Sequence, residues 1–449
     1  MNNILIVGAS DAGISAALRI KEIDAKIDVT VMAADAFPNF SICGLPFYLS
    51  GEVADWRDLA HRTRDDIEQQ GIGLLLDHRA LKIDPDARQV HVRSTDDKTR
   101  QIGYDKLLIA TGAESVQPSV QGINTHGVFF LRWMADSFSV KRFMERQNPR
   151  RAVIIGGGYI GLEMADALTR KGMTVTLMEA APEVLTTLSR DLGKHMRDEL
   201  QANGVQVVAE QAVARISREQ AGISVHTASG EIETADMVLV AAGAKPATAL
   251  AQSAGIETGV RGAIRVDRTM ATQVAHIWAA GDCVETWHRI LKRNVYLPLG
   301  TTAHKQGRVA GENMLGGNCE FQGSLGTQVV KVFDRVAART GLKENEAAEA
   351  GFDPLTVSLT CDDHKAYYPG VKKLHIRITG DRSTGRLLGA QMVGHRKSEV
   401  SKRIDIFAAA LYHSMAVKAL CDLDLSYTPP LSSPWDPVQA AAMRWLAAG

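Results

Sequence analysis

Apolar residues in this chain recur as short continuous runs, and the first of these runs ends in glycine. Residues 4–13 read ILIVGASDAG, and residues 152–161, which lie 148 positions further along, read AVIIGGGYIG. A four-residue apolar strand followed by a glycine-rich turn is typical of a β-strand–helix–β-strand unit. The pattern predicts helices over residues 14–20 and 162–170 and second strands over residues 29–32 (VTVM) and 175–178 (VTLM). The chain is therefore expected to contain two such units.

The second glycine turn is complete, with Gly156, Gly158 and Gly161. In such a turn the first glycine permits the bend, the second lets a pyrophosphate approach the backbone, and the third lets the helix pack against the strand. Glu179 follows at the end of the next strand, 18 residues after Gly161. An acid at this place suits the ribose 2′-hydroxyl of NAD(H) and repels the 2′-phosphate of NADP(H).

The first glycine turn departs from this pattern. It has Gly8 and Gly13, but Ser10 stands where the middle glycine belongs. After the second strand comes Ala33 in the place that matches Glu179, and the nearest acid is Asp35. Taken alone, this turn indicates a dinucleotide site less specifically than the second turn does, and Asp35 is its candidate acid.

The pattern changes after about residue 321. Runs such as TQVVKVFDRVAART, LTVSLT, KLHIRITG and RLLGAQMVG are rich in β-branched residues and are separated by Gly, Asp and Pro. They predict an antiparallel sheet. Helices are expected near residues 398–413 and 437–447 to cover it. The whole pattern predicts an α/β protein.

Composition and charge argue against some classes of function. The 449 residues are 45% hydrophobic and 23% charged, and 51 basic residues balance 51 acidic ones. A formal charge of zero argues against a strongly basic body for nucleic acid and against a polybasic membrane surface. No run offers the roughly 20 apolar residues of a membrane span, and the first residues lack a secretory pattern. We expect a cytoplasmic protein without a nucleic-acid or membrane partner.

The cysteines do not indicate a disulfide framework or a metal site. They are five in number and widely spaced: Cys43, Cys283, Cys319, Cys361 and Cys421. An odd count with wide gaps argues against a disulfide framework. Without a C-x-x-C, an H-E-x-x-H or a close Cys/His cluster, no zinc site and no other metal site is expected.

Two further segments complete a family pattern. KLLIATGAE (residues 106–114) is a strand that runs into Thr111 and Gly112, and HIWAAGDCVET (276–286) is a strand that ends in Gly281 and Asp282. Together with the two glycine turns, and in this order, they resemble the flavoprotein disulfide reductases that bind two dinucleotides. The resemblance implies FAD and NAD(H) as cofactors. It also implies that the IATG-like segment closes the first flavin-binding stretch and that Asp282 contacts the ribityl chain.

The resemblance implies a domain layout. The FAD-binding domain would comprise residues 1–116 and 245–320, and the NAD-binding domain, residues 117–244, would be inserted between these parts. Residues 321–449 would form a C-terminal α+β domain that makes a homodimer. The expected fold class is thus α/β with two Rossmann-like domains and a dimerisation domain.

Cys43 lies in the segment NFSICGLPFY (residues 39–48). Taken alone, a single cysteine is more often structural than reactive, although a position at a helix N-terminus lowers a thiol pKa. The fifth residue after it is Tyr48, so the C-x4-C pair of two-cysteine reductases is missing. One cysteine followed by GLPF resembles the branch that contains coenzyme A-disulfide reductases, NADH oxidases, NADH peroxidases and persulfide reductases.

The segment 297–317 (LPLGTTAHKQGRVAGENMLGG) is also similar to that branch. There it lies against the flavin and the partner subunit, which points to Leu299, Gly300 and Ala303 as flavin-side residues. His304, in the same segment, is expected to be structural or to lie near the flavin.

The branch implies an enzyme in which NAD(P)H, preferably NADH, passes a hydride through flavin to Cys43, which reduces a small disulfide or persulfide. Tyr427 and Tyr367 resemble tyrosines that the partner subunit supplies to donate a proton. The neighbouring Tyr368 remains an alternative to Tyr367. The active site would then be shared between two subunits.

Two other functions stay open. In NADH oxidases and peroxidases Cys43 would cycle through a sulfenic acid, but those enzymes carry a histidine where this chain has Asp11. In an electron-transfer flavoprotein reductase Cys43 would be structural. Ile42, where the family often has asparagine, and Ala33 also depart from the pattern and leave the substrate open.

Overall fold

The computed structural model describes residues 3–449. The α-helices of this part are, in chain order, α1 (Asp11–Ile23), α2 (Leu45–Ser50), α3 (Arg64–Gln69), α4 (Met134–Gln147), α5 (Tyr159–Arg170), α6 (Arg190–Ala202), α7 (Ala249–Gln252), α8 (Gly300–Asn313), α9 (Glu344–Glu349), α10 (Val400–Tyr412), α11 (Val417–Cys421) and α12 (Pro437–Leu446). Helices α1 and α5 begin earlier than predicted, because the glycine turns themselves provide their first helical residues.

The β-strands of the same part of the chain are three to nine residues long. They are β1 (Asn3–Val7), β2 (Asp28–Met32), β3 (Gly73–Leu75), β4 (His78–Asp84), β5 (Gln89–Ser94), β6 (Thr99–Gly103), β7 (Lys106–Ile109), β8 (Ala113–Ser115), β9 (Val128–Phe130), β10 (Arg151–Ile155), β11 (Thr174–Met178), β12 (Gln206–Val208), β13 (Val213–Glu219), β14 (Gly222–Thr227), β15 (Ile232–Ala235), β16 (Met237–Val240), β17 (Ala244–Pro246), β18 (Ile277–Ala279), β19 (Thr286–His288), β20 (Arg293–Val295), β21 (Gln328–Val332), β22 (Arg335–Gly341), β23 (Pro354–Asp362), β24 (Lys373–Asp381) and β25 (Leu387–His395).

The first parallel sheet has the order β18-β7-β1-β2-β3. Its central strand is apolar on both faces, and Ile4 pairs with Val29 on one side and Lys106 on the other. Strand β18 comes from much later in the chain and pairs with β7. Helices α1 and α8 pack against each other beside this sheet. Residues far apart in sequence therefore build one nucleotide-binding unit.

The second parallel sheet has the order β12-β11-β10-β16-β9 and belongs to the second glycine turn. A three-stranded antiparallel sheet accompanies each parallel sheet, β4-β5-β6 the first and β13-β14-β15 the second. The short strands β8 and β17 pair where the chain leaves the first unit and returns to it. Helix α2 packs against α4 and α5, which joins the Cys43 segment to the second unit.

The C-terminal sheet is antiparallel, with the order β21-β22-β25-β24-β23. Helices α10 and α12 cover it, and Phe407 and Trp445 lie in its core. This confirms the predicted α/β fold with two Rossmann-like units and a C-terminal α+β domain. The domain boundaries at residues 116, 244 and 320 stay predictions. No helix within residues 3–449 is both long enough and apolar enough to cross a bilayer.

Candidate active site

Helix α1 starts in backbone contact with its sheet. A Cβ added at Gly13 would overlap the carbonyl oxygen of Gly8, and one added at Gly8 would overlap that of Ala110. Gly8 also has a φ of +122°, which favours glycine. The first N–H groups of a helix have no partner within the helix, so this close packing presents them to a ligand at the edge of the sheet.

Ser10 is the N-cap of α1. Its φ and ψ of −100° and −158° are close to the −81° and −170° of Gly158 at the N-cap of α5, and any residue adopts such values. Ser10 makes no side-chain capping hydrogen bond. Serine in place of the middle glycine therefore leaves the backbone of the turn unstrained.

Helix α8 begins beside the start of α1. Leu299 is its N-cap, Gly300 is its first residue and Ala303 is buried one turn later. A Cβ added at Gly300 would lie 3.0 Å from Oδ2 of Asp11, and one added at Gly307 would overlap the α1 backbone. The N-termini of two helices thus converge on one place, which favours binding of an anionic group there.

Asp11 is the first residue of α1 and faces α8. Its Oδ1 lies 3.4 Å from Nε2 of His304, whose Nδ1 lies 2.7 Å from the hydroxyl of Ser15. Burial raises the pKa of the Asp11 carboxyl, and the nearby His304 and His61 oppose that rise. An acid, an imidazole and a hydroxyl therefore form a connected polar row between the two helices.

Asp282 lies at the turn after β18 and pairs with Arg132 at 2.6 Å. Nε of Arg132 and the hydroxyl of Tyr296 are buried and have no hydrogen-bond partner among residues 3–449. Burial, reinforced by the Asp282 carboxylate, raises the pKa of Tyr296. Buried donors without partners fit a ligand that carries acceptor oxygens and nitrogens. The residues present therefore fit FAD, which has ring carbonyls, ring nitrogens and ribityl hydroxyls.

The other predicted flavin-side residues lie around the same sheet edge. Thr111 donates its hydroxyl hydrogen bond to the carbonyl of Ala247 at 2.6 Å. Gly112 has a φ of +69°, and nothing lies within 4 Å of a Cβ added there. Gly281 uses its N–H within the protein. Asp35 lies beyond the end of β2, and burial raises the pKa of its carboxyl.

The second glycine turn repeats the steric arrangement of the first. A Cβ added at Gly161 would overlap the carbonyl oxygen of Gly156, whereas nothing lies within 4 Å of a Cβ added at Gly158. Glu179 accepts a hydrogen bond from the N–H of Gly157 at 2.6 Å, so its carboxylate lies directly beside the turn. A carboxylate oxygen has a second lone pair for a ribose hydroxyl. The residues present fit NAD(H).

Two residues of α5 that the sequence analysis missed lie at this site. Tyr159 is the first residue of the helix, and its hydroxyl lies 3.2 Å from that of Thr187. Glu163 follows one turn later on the same face, and burial raises its pKa to about 7, against the effect of Lys331. The i, i+4 spacing after the glycine turn was the signal that could have identified them.

Cys43 lies in the 3-10 turn Ile42–Gly44 that leads directly into α2. It is exposed, and its segment is held against α5 by buried residues of α2 such as Leu45 and Leu49. By contrast, Cys283 is buried, and burial raises the pKa of its thiol to about 11. These two cysteines therefore differ in access to a substrate.

The pKa of the Cys43 thiol is raised rather than lowered in this chain. Partial desolvation and then the carboxylates of Glu163 and Asp11 raise it, and Arg132 only partly offsets them. Sequence alone could not reveal this, because α5 and α1 supply the two carboxylates.

Tyr367 and Tyr427 lie on two neighbouring loops of the C-terminal domain. Tyr367 is 74% exposed and Tyr427 is 45% exposed. Desolvation and the nearby phenol of Tyr427 raise the pKa of Tyr367. Tyr368 is also exposed, but its ring packs edge-on against that of His364. The structure thus brings Tyr367, rather than Tyr368, together with Tyr427.

Comparison with known families identifies the chain. Residues 2–307 match the family described as pyridine nucleotide-disulphide oxidoreductase, and residues 327–437 match its dimerisation domain. The chain belongs to this family. It is an FAD-dependent enzyme that uses NAD(P)H, and its dimerisation domain supports a homodimer.

Several relatives match over nearly the whole chain. A protein of Pyrococcus abyssi named NAD(P)H sulfur oxidoreductase (CoA-dependent) is 35% identical over 443 residues, which are 98% of this chain and 97% of the relative. The NAD-dependent persulfide reductase from A. fulgidus superposes with a TM-score of 0.95 at 35% identity, over 99% of this chain and 83% of that one. The reduced CoADR-RHD of Bacillus anthracis superposes with a TM-score of 0.96 at 30% identity, over 99% and 80% of the two chains.

Proposed function

We propose that this oxidoreductase reduces a small disulfide or persulfide, as a coenzyme A-disulfide reductase does, and that Cys43 is its redox-active residue. The observation that most strongly supports this assignment is the position of Cys43. It is exposed and unpaired among the described residues, and Glu163 of one nucleotide unit and Asp11 of the other are near enough for their charges to raise the pKa of its thiol. The names of the sulfur and persulfide reductases that match over the whole chain support this assignment.

The proposed reaction uses one sulfur atom of the protein, that of Cys43. The Cys43 thiolate attacks a disulfide R–S–S–R, forms Cys43–S–S–R and releases one thiolate, which takes up a proton. Two electrons then cleave Cys43–S–S–R to the Cys43 thiolate and a second thiolate, which is also protonated. FAD, when bound, supplies the two-electron link between NADH and this sulfur.

The proposed cofactor sites use the residues described above. For FAD these are Gly8, Ser10, Gly13, Asp35, Thr111, Gly112, Gly281, Asp282, Leu299, Gly300 and Ala303. For the nicotinamide nucleotide they are Gly156, Gly158, Gly161 and Glu179. The carboxylate of Glu179 beside Gly157 supports a preference for NADH over NADPH.

Tyr427 and Tyr367 are proposed as proton donors to the leaving thiolate at Cys43 of the partner subunit. Their exposure on the dimerisation domain supports a site that two subunits share. A phenol is protonated near neutral pH and can donate its proton to a basic thiolate as that thiolate leaves. The free cysteines among residues 3–449 support a reducing, cytoplasmic setting.

The test replaces Cys43 and keeps the rest of the site. Cys43→Ser should lower turnover of coenzyme A disulfide and of inorganic polysulfide at least about a thousand-fold, because the nucleophile is gone, while NADH still reduces the flavin. Cys319→Ser, at a half-buried cysteine, is the control and should keep full turnover. Full disulfide turnover by Cys43→Ser would overturn the proposal.

The peroxidase reaction is a second candidate, and Asp11 is the observation that favours it. Its raised pKa lets this carboxyl hold a proton at higher pH than an ordinary aspartate, so it could replace the missing histidine as a donor. Stoichiometric consumption of hydrogen peroxide by the anaerobically reduced enzyme, faster than reduction of either sulfur substrate, would favour this function. Slower consumption would favour the disulfide reductase.

A further inference from the structure

Arg403 is a buried arginine in the first turn of α10. It is 5% exposed, and its guanidinium donates in four directions. Nη1 bonds the carbonyl of Ser398 at 2.6 Å, and Nη2 bonds the carbonyls of Asp363 at 2.9 Å and Leu431 at 3.1 Å. Nε bonds the carboxylate of Asp436 at 3.3 Å. One side chain therefore ties four separate points of the C-terminal domain together.

Two of these points belong to the tyrosine-bearing loops. Asp363 opens the loop between β23 and β24 that carries Tyr367, and Leu431 lies four residues beyond Tyr427. The same two loops also meet directly, because the N–H of Lys365 donates to the carbonyl of Pro429 at 3.3 Å. The guanidinium thus lies beneath the place where the two loops join.

The carboxylates around Arg403 are fixed by other groups. Asp363 accepts hydrogen bonds from the hydroxyl of Ser398 at 2.6 Å and from the N–H of Lys372 at 2.9 Å. Asp436 accepts from the hydroxyl of Ser432 at 2.7 Å and, as the N-cap of α12, from its helix. A network in which both carboxylates are held in this way favours one loop geometry over others.

A buried arginine is not needed for stability alone. Removing a guanidinium from water costs free energy, and apolar residues of similar volume often give equal or greater stability than a buried ion pair. A guanidinium is nevertheless the one side chain that can donate to several acceptors from a rigid plane. Lysine keeps the charge, but its single nitrogen cannot reach all four acceptors.

We propose that Arg403 is a positioning residue that holds Tyr367 and Tyr427 in the geometry that disulfide reduction requires. The proposal rests on the proposed function, because it gives the two tyrosines their role at Cys43 of the partner subunit. Arg403 itself touches neither substrate nor cofactor. Its effect reaches the reaction only through the two loops.

The experiment compares Arg403→Lys, Tyr427→Phe and the double variant as FAD-loaded dimers. Each single variant should lower kcat/KM for the better of coenzyme A disulfide and inorganic polysulfide about ten-fold, and the double variant should be no more than about two-fold worse than either. Reduction of the flavin by NADH in rapid mixing should stay within about two-fold of wild type in all three. The control is Arg386→Lys, which changes an arginine that bonds Ser414 just beyond the other end of α10 and should leave both rates unchanged.

The outcomes separate this proposal from the function on which it rests. If Tyr427→Phe lowers kcat/KM while Arg403→Lys does not, or if the two losses multiply in the double variant, Arg403 is structural and the proposal is overturned. If Tyr427→Phe has no effect, the tyrosine role fails and the positioning role fails with it, whereas Cys43→Ser still tests the reductase. Loss of flavin reduction together with disulfide reduction would also overturn the proposal.

A milder variant covers the case in which Arg403→Lys does not fold. Ser398→Ala removes the hydroxyl that holds the Asp363 carboxylate but keeps the arginine. It should lower kcat/KM for the disulfide about three-fold and again show no further loss in the Tyr427→Phe background. An unchanged kcat/KM in Ser398→Ala would overturn the proposal.

Discussion

The two glycine turns of this chain have the same backbone arrangement but carry different side chains at matching positions. Gly13 and Gly161 both lie where a Cβ would overlap the carbonyl oxygen of the first glycine of the turn. One turn into each helix, however, Ser15 of α1 contacts His304, whereas the matching residue of α5 is the half-buried acid Glu163. The steric requirements of a dinucleotide fold are thus met twice, while the chemistry is set separately in each unit.

The same contrast holds at the first helical residue and after the second strand. Asp11 lies against His304 of another segment, whereas Tyr159 lies against Thr187 of its own unit. Ala33 offers no carboxylate where Glu179 holds the turn. The comparison teaches that side chains from distant segments complete the first turn, whereas the contacts of the second turn come from its own unit.

The largest effect is expected from a methyl group at the third glycine of each turn. Gly13→Ala should yield protein without bound FAD. Gly161→Ala should retain FAD but lose about a hundred-fold in kcat/KM for NADH. In each variant the added methyl group forces the helix away from its strand, at a cost of roughly 1–3 kcal/mol. Absorbance of the flavin and steady-state kinetics measure this. Gly158→Ala, where a Cβ meets nothing within 4 Å, is the control for thermal stability. Equal melting temperatures for Gly161→Ala and Gly158→Ala would contradict the steric account.

A smaller effect is expected from removing Glu179, because the first unit has Ala33 in the matching place. Glu179→Ala should lower kcat/KM for NADH about ten- to hundred-fold, as expected for loss of one charge-assisted hydrogen bond, and should leave or raise kcat/KM for NADPH. Asp35→Asn, on the flavin side, should leave the ratio of the two unchanged. An unaltered NADH-to-NADPH ratio in Glu179→Ala would remove this residue from nucleotide selection.

The smallest effect concerns the pH dependence of stability at Glu163. Its pKa rises from an ordinary value of 4.5 to about 7 in the folded protein, so the folded chain binds an extra proton between these values. Stability contributed by this group is therefore lost as pH rises from about 4.5 to 7. Glu163→Gln should flatten this slope. Urea unfolding of wild type and Glu163→Gln at pH 5 and pH 7.5 gives the free energy of unfolding at each pH. An equal dependence of this free energy on pH in the two proteins would contradict the burial argument.

The backbone of both units could be predicted from the sequence, because glycines with a steric purpose and apolar strands are local signals. The antiparallel C-terminal sheet was predictable for the same reason. The predicted helices at 398–413 and 437–447 appear as Val400–Tyr412 and Pro437–Leu446. Short-range patterns therefore determine most of the elements.

The site chemistry could not be predicted in the same way. The pKa of the Cys43 thiol depends on Glu163 and Asp11, which only the packing of α2 against α5 and the start of α1 bring near. Arg132 reaches Asp282 across 150 positions of sequence. Such contacts arise from tertiary structure, and a single sequence carries no local sign of them.

An anaerobic titration of the FAD-loaded protein with NADH tests most directly whether Cys43 is a redox centre. The protein as purified, with Cys43 oxidised or bound to a small thiol, should consume about one equivalent of NADH before the flavin absorbance falls and about one more while it falls. Cys43→Ser should lose the first equivalent and show flavin reduction from the start. If wild type that has been pre-treated with coenzyme A disulfide titrates like Cys43→Ser, the electrons do not pass through Cys43 and the central claim is wrong.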